Sequence, residues 1–192
     1  LINFIKNKEL FLKILISSIP VMIVGGFLIQ TNLIEKFRSI EVIAWTTLIF
    51  GILLYVSDKY KLKKNIKNNF NYKTALIIGL FQIISLIPGV SRSGITITAA
   101  RLLNFKRHDS AKISFLLSIP TLGAVTIFGL GNLLGSQNVN FSQINLLSIF
   151  FSFIFSFLTI KYFLIYIKKF SLKIFIVYRV ILGLILLTIV YL

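Results

Sequence analysis

The sequence predicts an all-α, polytopic membrane protein, and three observations carry that class. Of its 192 residues 57% are hydrophobic, only 14% are charged, and the mean hydropathy is +0.93. A soluble domain of this length does not carry so apolar a composition. Apolar runs at residues 11–29, 42–56, 113–134, 144–160 and 174–192 approach or reach the ~20 residues that cross ~30 Å of hydrocarbon. None alternates with period two, so helices are expected and a barrel is not. The whole chain, 1–192, reads as one integral membrane domain.

The formal charge of +16 does not point to nucleic acid. The lysines and arginines sit at the ends of apolar runs, where topology signals and headgroup contacts belong. With no cysteine there is neither a disulfide framework nor a thiolate metal site, and the lone His108 leaves no histidine cluster for zinc. The chain opens on Leu1, and its first residues carry Lys6, Lys8 and Glu9 without a small-residue cleavage pattern. That is no clear signal peptide, and it reads as the interior of a longer gene product.

Basic residues set the expected path. Lys59, Lys61, Lys63, Lys64, Lys67 and Lys73 follow the second apolar run, and Lys168, Lys169 and Lys173 precede the last; both segments are expected on the cytoplasmic side. The uncharged stretch 135–143, and residues 31–41 with Lys36 and Arg38 balanced by Glu35 and Glu41, are expected outside. The chain therefore crosses outward at 10–30 and inward at 41–57. The helix at 111–134 must also start inside, near Arg101, Lys106, Arg107 and Lys112, to end at the uncharged stretch. Residues 74–105 then enter and leave on one side. Helices at 74–87 and 94–104 would measure ~21 Å and ~16 Å at 1.5 Å per residue, each short of the bilayer core. A re-entrant hairpin with its tip near mid-membrane is expected, the alternative being one kinked spanning helix.

The tip is Pro88-Gly89-Val90-Ser91-Arg92-Ser93-Gly94-Ile95-Thr96. Its two glycines, three hydroxyls and one guanidinium within nine residues suit a phosphate, and a polar turn at membrane depth is a functional-site candidate. Elsewhere Ser18-Ile19-Pro20 recurs as Ser118-Ile119-Pro120, each followed by glycine (Gly25 and Gly26, then Gly123). This echo suggests duplicated, inverted halves, with chance similarity of apolar sequence as the alternative.

The tip, with Gly79-Leu80-Phe81-Gln82 before it, Ser114-Phe115-Leu116-Leu117-Ser118-Ile119-Pro120 after it and Tyr178-Arg179 in the last run, resembles the second signature of the undecaprenyl-diphosphate phosphatases, the bacitracin-resistance phosphatases. The resemblance covers essentially the whole chain. It implies an inverted-repeat fold in a bacterial plasma (inner) membrane, in which two re-entrant tips meet in a cavity open to the periplasm. It implies hydrolysis of undecaprenyl diphosphate to undecaprenyl phosphate and inorganic phosphate, which recycles the lipid carrier of cell-wall glycans. It also implies a polyprenyl diphosphate partner and a divalent cation, magnesium or calcium, for which this sequence offers no identified metal ligand. The family's first hairpin, with its glutamate-rich signature and Ser-Ser-Thr-Gly-His-like turn, has no counterpart here, so the base that the family draws from it is missing from these residues. A homodimer stays open as an assembly.

Cleaving a phosphoanhydride needs a clamp for the anionic oxygens. Arg92 is the expected catalytic clamp, because its planar fork holds two oxygens and keeps its charge on burial. Gly89 and Gly94 admit the anion to the backbone, and Ser91, Ser93 and Thr96 add donors at a helix start, where simple capping is the alternative. Gln82, Pro88 and Arg179 are expected in support, Arg179 by neutralising the site from the last helix. The acids Glu9, Glu35, Glu41, Asp58 and Asp109 all fall at segment ends, and His108 beside Asp109 reads as a loop residue. Ser114, Ser118 and Thr121 share a helical face suited to packing. The phenylalanine-rich run 150–157 suits lipid or packing. Two other functions remain open, a transporter or lipid flippase and a non-catalytic remnant.

Overall fold

The computed structural model describes residues 7–31, 37–59, 63–135 and 143–192, with the backbone alone at 132–135 and 143. Lys6, Glu35, Lys36, Lys61 and residues 136–142 of the uncharged stretch lie outside the described residues. The helices are α1 (Lys8–Gln30), α2 (Ile40–Asp58), the short α3 (Ile66–Asn69), α4 (Tyr72–Ile83), α5 (Arg92–Leu102), α6 (Arg107–Gly135), α7 (Gln143–Lys169) and α8 (Lys173–Tyr191), with a 3₁₀ turn at Ile84–Leu86. The protein is all-α, and five of its helices, α1, α2, α6, α7 and α8, are long and apolar enough to cross a membrane.

Local chemistry sets the ends. The Asn7 side chain accepts from Leu10 N and starts α1, and Ser39 accepts from Val42 N to start α2. Asn71 and Thr74 form a reciprocal capping box that opens α4, two residues ahead of the expected start. Helix α5 ends where Asn104 turns to φ +75°, a left-handed geometry that asparagine tolerates. Pro20 and Pro120 lie inside α1 and α6 without ending them, as packed membrane helices allow. Helix α7 runs past the expected residue 160 to Lys169, because Lys161 is a single charge within an otherwise apolar stretch and only Lys168 and Lys169 close it.

The short helices α4 and α5 pack against each other and are held between longer ones. Helix α4 lies on α1, where Ser17 Oγ donates to Ala75 O at 2.6 Å. A side chain at Gly79 would collide with the Ser17 backbone, so glycine permits this close crossing. Helix α5 is enclosed by α2 on one side and α6 on the other, and every residue from Gly94 to Arg101 is buried. Helices α2 and α8 run side by side, close enough that a Cβ on Gly183 would press on Leu48 and one on Gly51 would come within 3.2 Å of Arg179 Cβ.

The two ends of the segment 65–104 are tied together. Lys64 N donates to Asn104 O and Lys106 N to Lys64 O, both at 3.0 Å, so the chain returns to the point it left. Next to this tie Asp58, 4% exposed, takes Arg107 Nε at 2.6 Å, Arg101 Nη2 at 3.4 Å and Leu172 N at 3.3 Å. One carboxylate thereby joins the last turn of α2, the exit of α5, the start of α6 and the start of α8. In the sequence Arg101 and Arg107 serve only to mark the inner side; in the structure Arg101 is 2% exposed and both pair with Asp58. Removing one member of a buried ion network leaves charge uncompensated. Asp58→Ala is expected to cost about 3–5 kcal/mol, read as a thermal-unfolding shift in detergent well beyond that of Asp109→Ala.

Candidate functional site

The turn between α4 and α5 is built by its sequence. Ile87, ahead of a proline, is extended as the proline ring requires. Val90 N bonds Ile87 O at 3.3 Å and Gly89 has φ +87°, which makes Ile87-Pro88-Gly89-Val90 a type II turn with proline and glycine in their favoured places. Ser91 follows at φ +66°, a conformation costing a non-glycine residue about 1–3 kcal/mol. It caps α5, its Oγ accepting from Gly94 N at 3.2 Å.

The turn is seated on the first half of α2, at Ile43, Thr46 and Thr47. Thr46 Oγ1 lies 2.6 Å from Pro88 O, and Thr47 Oγ1 donates to Gly89 O at 3.2 Å. A Cβ on Gly89 would meet Thr46 Oγ1 and come within 2.6 Å of Ile43 O. From α8, Arg179 Nη2 donates to the same Gly89 carbonyl at 2.9 Å. Thr46 and Thr47 escaped the sequence reading; adjacent threonines in an otherwise apolar helix were the only signal.

A cavity of about 350 Å³ opens beside the turn. Its polar end is formed by Gly89, Ser91, Ser93, Gly94 and Arg179, and its apolar body includes Leu54, Phe115, Phe163 and Phe175. Ser91 and Ser93 are exposed, with their hydroxyls 3.4 Å apart. The aromatic body is tight: Phe163 stands edge-on to Phe115 at 5.5 Å and to Phe175 at 5.0 Å between ring centroids.

The residues expected at the site divide. Gly89, Ser91, Ser93, Gly94 and Arg179 share the cavity wall. Arg92 is not among the lining residues; its side chain turns to α6, where Nη1 donates to Thr121 Oγ1 at 2.7 Å. That bond is its one hydrogen bond among the described residues, so much of its fork has no protein partner. Thr96 is 1% exposed, its Oγ1 lying 2.9 Å from Arg92 O and 2.7 Å from Ser114 Oγ. It closes the α5–α6 contact and does not face the cavity. Pro88 shapes the turn. Gln82 is fully buried on α4, and neither of its amide atoms has a hydrogen-bond partner among the described residues. Of the packing face on α6, Thr121 meets Arg92 and Ser114 meets Thr96, so two of those three hydroxyls hold the turn's own residues.

The cavity wall offers hydroxyls and a guanidinium but no carboxylate. Among the described residues the acids are engaged elsewhere: Glu9 with Lys13, Glu41 with Tyr191, Asp58 with two arginines, and Asp109 beside His108. No three of them gather with histidine into a cation site. These residues therefore do not fit the divalent cation that the resemblance implies.

Residues 3–185 match the pattern of the family described as bacitracin resistance protein BacA. The chain is 50% identical over 192 residues to an undecaprenyl-diphosphatase of Pelagibacter ubique (strain HTCC1062), covering 100% of this chain and 75% of that protein. It is 37% identical over 185 residues to an undecaprenyl-diphosphatase of Jannaschia sp. (strain CCS1), covering 96% and 69%. To one from Roseobacter denitrificans (strain ATCC 33942 / OCh 114) it is 41% identical over 182 residues, covering 95% and 68%.

Proposed function

The chain belongs to the bacitracin resistance protein BacA family, and we propose from that membership how its turn and cavity serve an undecaprenyl-diphosphatase. Water adds to the terminal phosphorus, the bond from that phosphorus to the bridging oxygen breaks, and undecaprenyl phosphate leaves with the bridging oxygen and the bond's electron pair, while inorganic phosphate and a proton are released. The observation that carries the assignment is a single wall on which two glycines, two exposed hydroxyls and a buried guanidinium face a mostly apolar cavity. An amphiphile with an anionic head and a hydrocarbon tail complements that wall. Arg92 supplies the clamp: Thr121 holds one nitrogen, which fixes the guanidinium plane and leaves the remaining N–H groups for phosphoryl oxygens. Thr46, Thr47 and Arg179 position the turn through its carbonyls.

The transporter reading makes a different demand on the same lipid. Purified protein in detergent, given undecaprenyl diphosphate with and without magnesium or calcium, is expected to release one inorganic phosphate per lipid. Movement of intact lipid between leaflets of a vesicle with no phosphate released would favour translocation instead.

We read residues 65–104 as a re-entrant hairpin, one half of an inverted-repeat architecture in the bacterial plasma membrane. The tie between Lys64 and residues 104–106 supports a common entry and exit, and the lysines around it support a cytoplasmic base. From Asp58 at the base to Ile43 at the turn is ~22 Å along α2 at 1.5 Å per residue. To Thr46 and Thr47, which hold the turn, it is about 17–18 Å, a rise that supports a tip near mid-membrane in a site reached from the periplasm. The chain has no cysteine of its own, which makes labelling clean. Lys67→Cys and Lys106→Cys are both expected to resist an impermeant thiol reagent in intact cells, while Thr31→Cys and Ser136→Cys react. Opposite protection at positions 67 and 106 would make the segment a spanning one.

A further inference from the structure

Arg179 carries more than its bond to Gly89 requires. It is 8% exposed, and its Nη1 has no hydrogen-bond partner among the described residues. Ion pairs among those residues use Glu9, Asp58 and Asp109, and none reaches it. A guanidinium left unneutralised in an apolar setting is costly. Its free nitrogen lies 2.6 Å from where a Gly94 side chain would begin, so it is aimed at the first turn of α5. Gly94 is the residue that leaves room for it, and Ser91 and Ser93 stand exposed at its edge. The N-terminus of α5 and a buried cation converge here.

We infer that this pocket is a subsite for the phosphate that stays on the lipid, with Arg179 as its direct ligand. The inference rests on the proposed diphosphatase reading and assigns its two phosphates to different arginines. Arg179 lines the cavity whose apolar side includes Leu54, Phe115, Phe163, Phe175 and Leu182. Arg92 faces α6 and does not line it. The phosphate ester next to the hydrocarbon therefore falls to Arg179, and the terminal phosphate to Arg92. The exposed Ser91 and Ser93 hydroxyls on the same wall add donors for the ester oxygens, and the apolar body takes the first isoprene units, a head-plus-stem volume within the range of small ligand pockets. The rest of the tail stays in the bilayer. The product, a prenyl monophosphate, occupies this subsite after hydrolysis.

The test is binding, independent of turnover. Undecaprenyl phosphate and undecaprenol are titrated into the purified protein, and into its Arg179→Gln and Arg179→Lys variants, in lipid nanodiscs. Undecaprenyl phosphate is expected to bind roughly ten- to hundredfold more weakly to Arg179→Gln, the scale of one charge-assisted hydrogen bond, with partial recovery in Arg179→Lys and no change for undecaprenol. Equal weakening of both lipids would assign Arg179 a merely structural role and overturn the inference, as would unchanged binding of the phosphate. Should Arg179→Gln not fold, Leu182→Trp, which narrows the apolar wall, must weaken both lipids for the subsite to stand. If the wild-type protein binds undecaprenyl phosphate in this manner yet releases no phosphate from undecaprenyl diphosphate, the diphosphatase reading fails and the subsite remains. Phosphate release without Arg179-dependent binding would do the opposite, keeping the diphosphatase and removing the subsite.

Discussion

Arg92→Ala is expected to lower phosphate release from undecaprenyl diphosphate by on the order of 10²–10³-fold, the scale for losing a preorganised charge donor, while the protein remains inserted and folded. The guanidinium is half-buried, its plane fixed by the 2.7 Å bond to Thr121. Arg92→Lys should recover little, because a lysine offers a point charge where a fork meets two oxygens. Thr121→Val, which frees the plane but keeps the charge, should fall between wild type and Arg92→Ala. Steady-state assays on the three variants, with membrane insertion checked alongside, read this directly. Turnover of Arg92→Ala near the wild-type value would remove the clamp from the mechanism.

Gly89→Ala should be nearly as damaging by a different route. The residue sits at φ +87°, and the added Cβ would meet Thr46 Oγ1 and come within 2.9 Å of the Ile43 Cα. Backbone strain of about 1–3 kcal/mol combines with a forced lift of the turn off α2, which breaks the contacts of Pro88 and Gly89 with Thr46, Thr47 and Arg179. A shift of about an ångström in a site that works by positioning costs roughly 10²-fold in rate, and a loss of that size is expected. Gly26→Ala is the control, because nothing lies within 4 Å of a Cβ there. Equal activity in the two variants would mean that the seat on α2 does not govern the reaction.

The membrane class and its five long helices were legible because hydrocarbon imposes length and apolarity directly on the sequence. The turn was legible too: Pro88 and Gly89 encode a type II geometry locally, and Ser91 is a standard cap. What could not be read were the directions of side chains. Arg92 and Arg179 looked like a clamp and its helper, yet only tertiary packing decides that one turns to α6 and the other into the cavity. Thr96 looked like a phosphate donor by its spacing, and Ser114, eighteen residues on, claims its hydroxyl. Thr46 and Thr47 gave no periodic signal, since a threonine inside a membrane helix ordinarily bonds its own preceding turn, as Thr46 also does with Val42 O. Asp58 resembled any acid at a helix end until four elements met on it.

The measurement that bears most directly on the phosphate site is a structure with a non-hydrolysable, methylene-bridged analogue of undecaprenyl diphosphate. We predict that its two phosphonates lie against residues 88–94, one within hydrogen-bond reach of Arg92 and the other of Arg179, with the hydrocarbon leaving past Phe163 and Phe175. Phosphonates bound instead among the lysines at the base, near Lys64, Lys67 and Lys106, with the turn between Pro88 and Gly94 untouched, would contradict it.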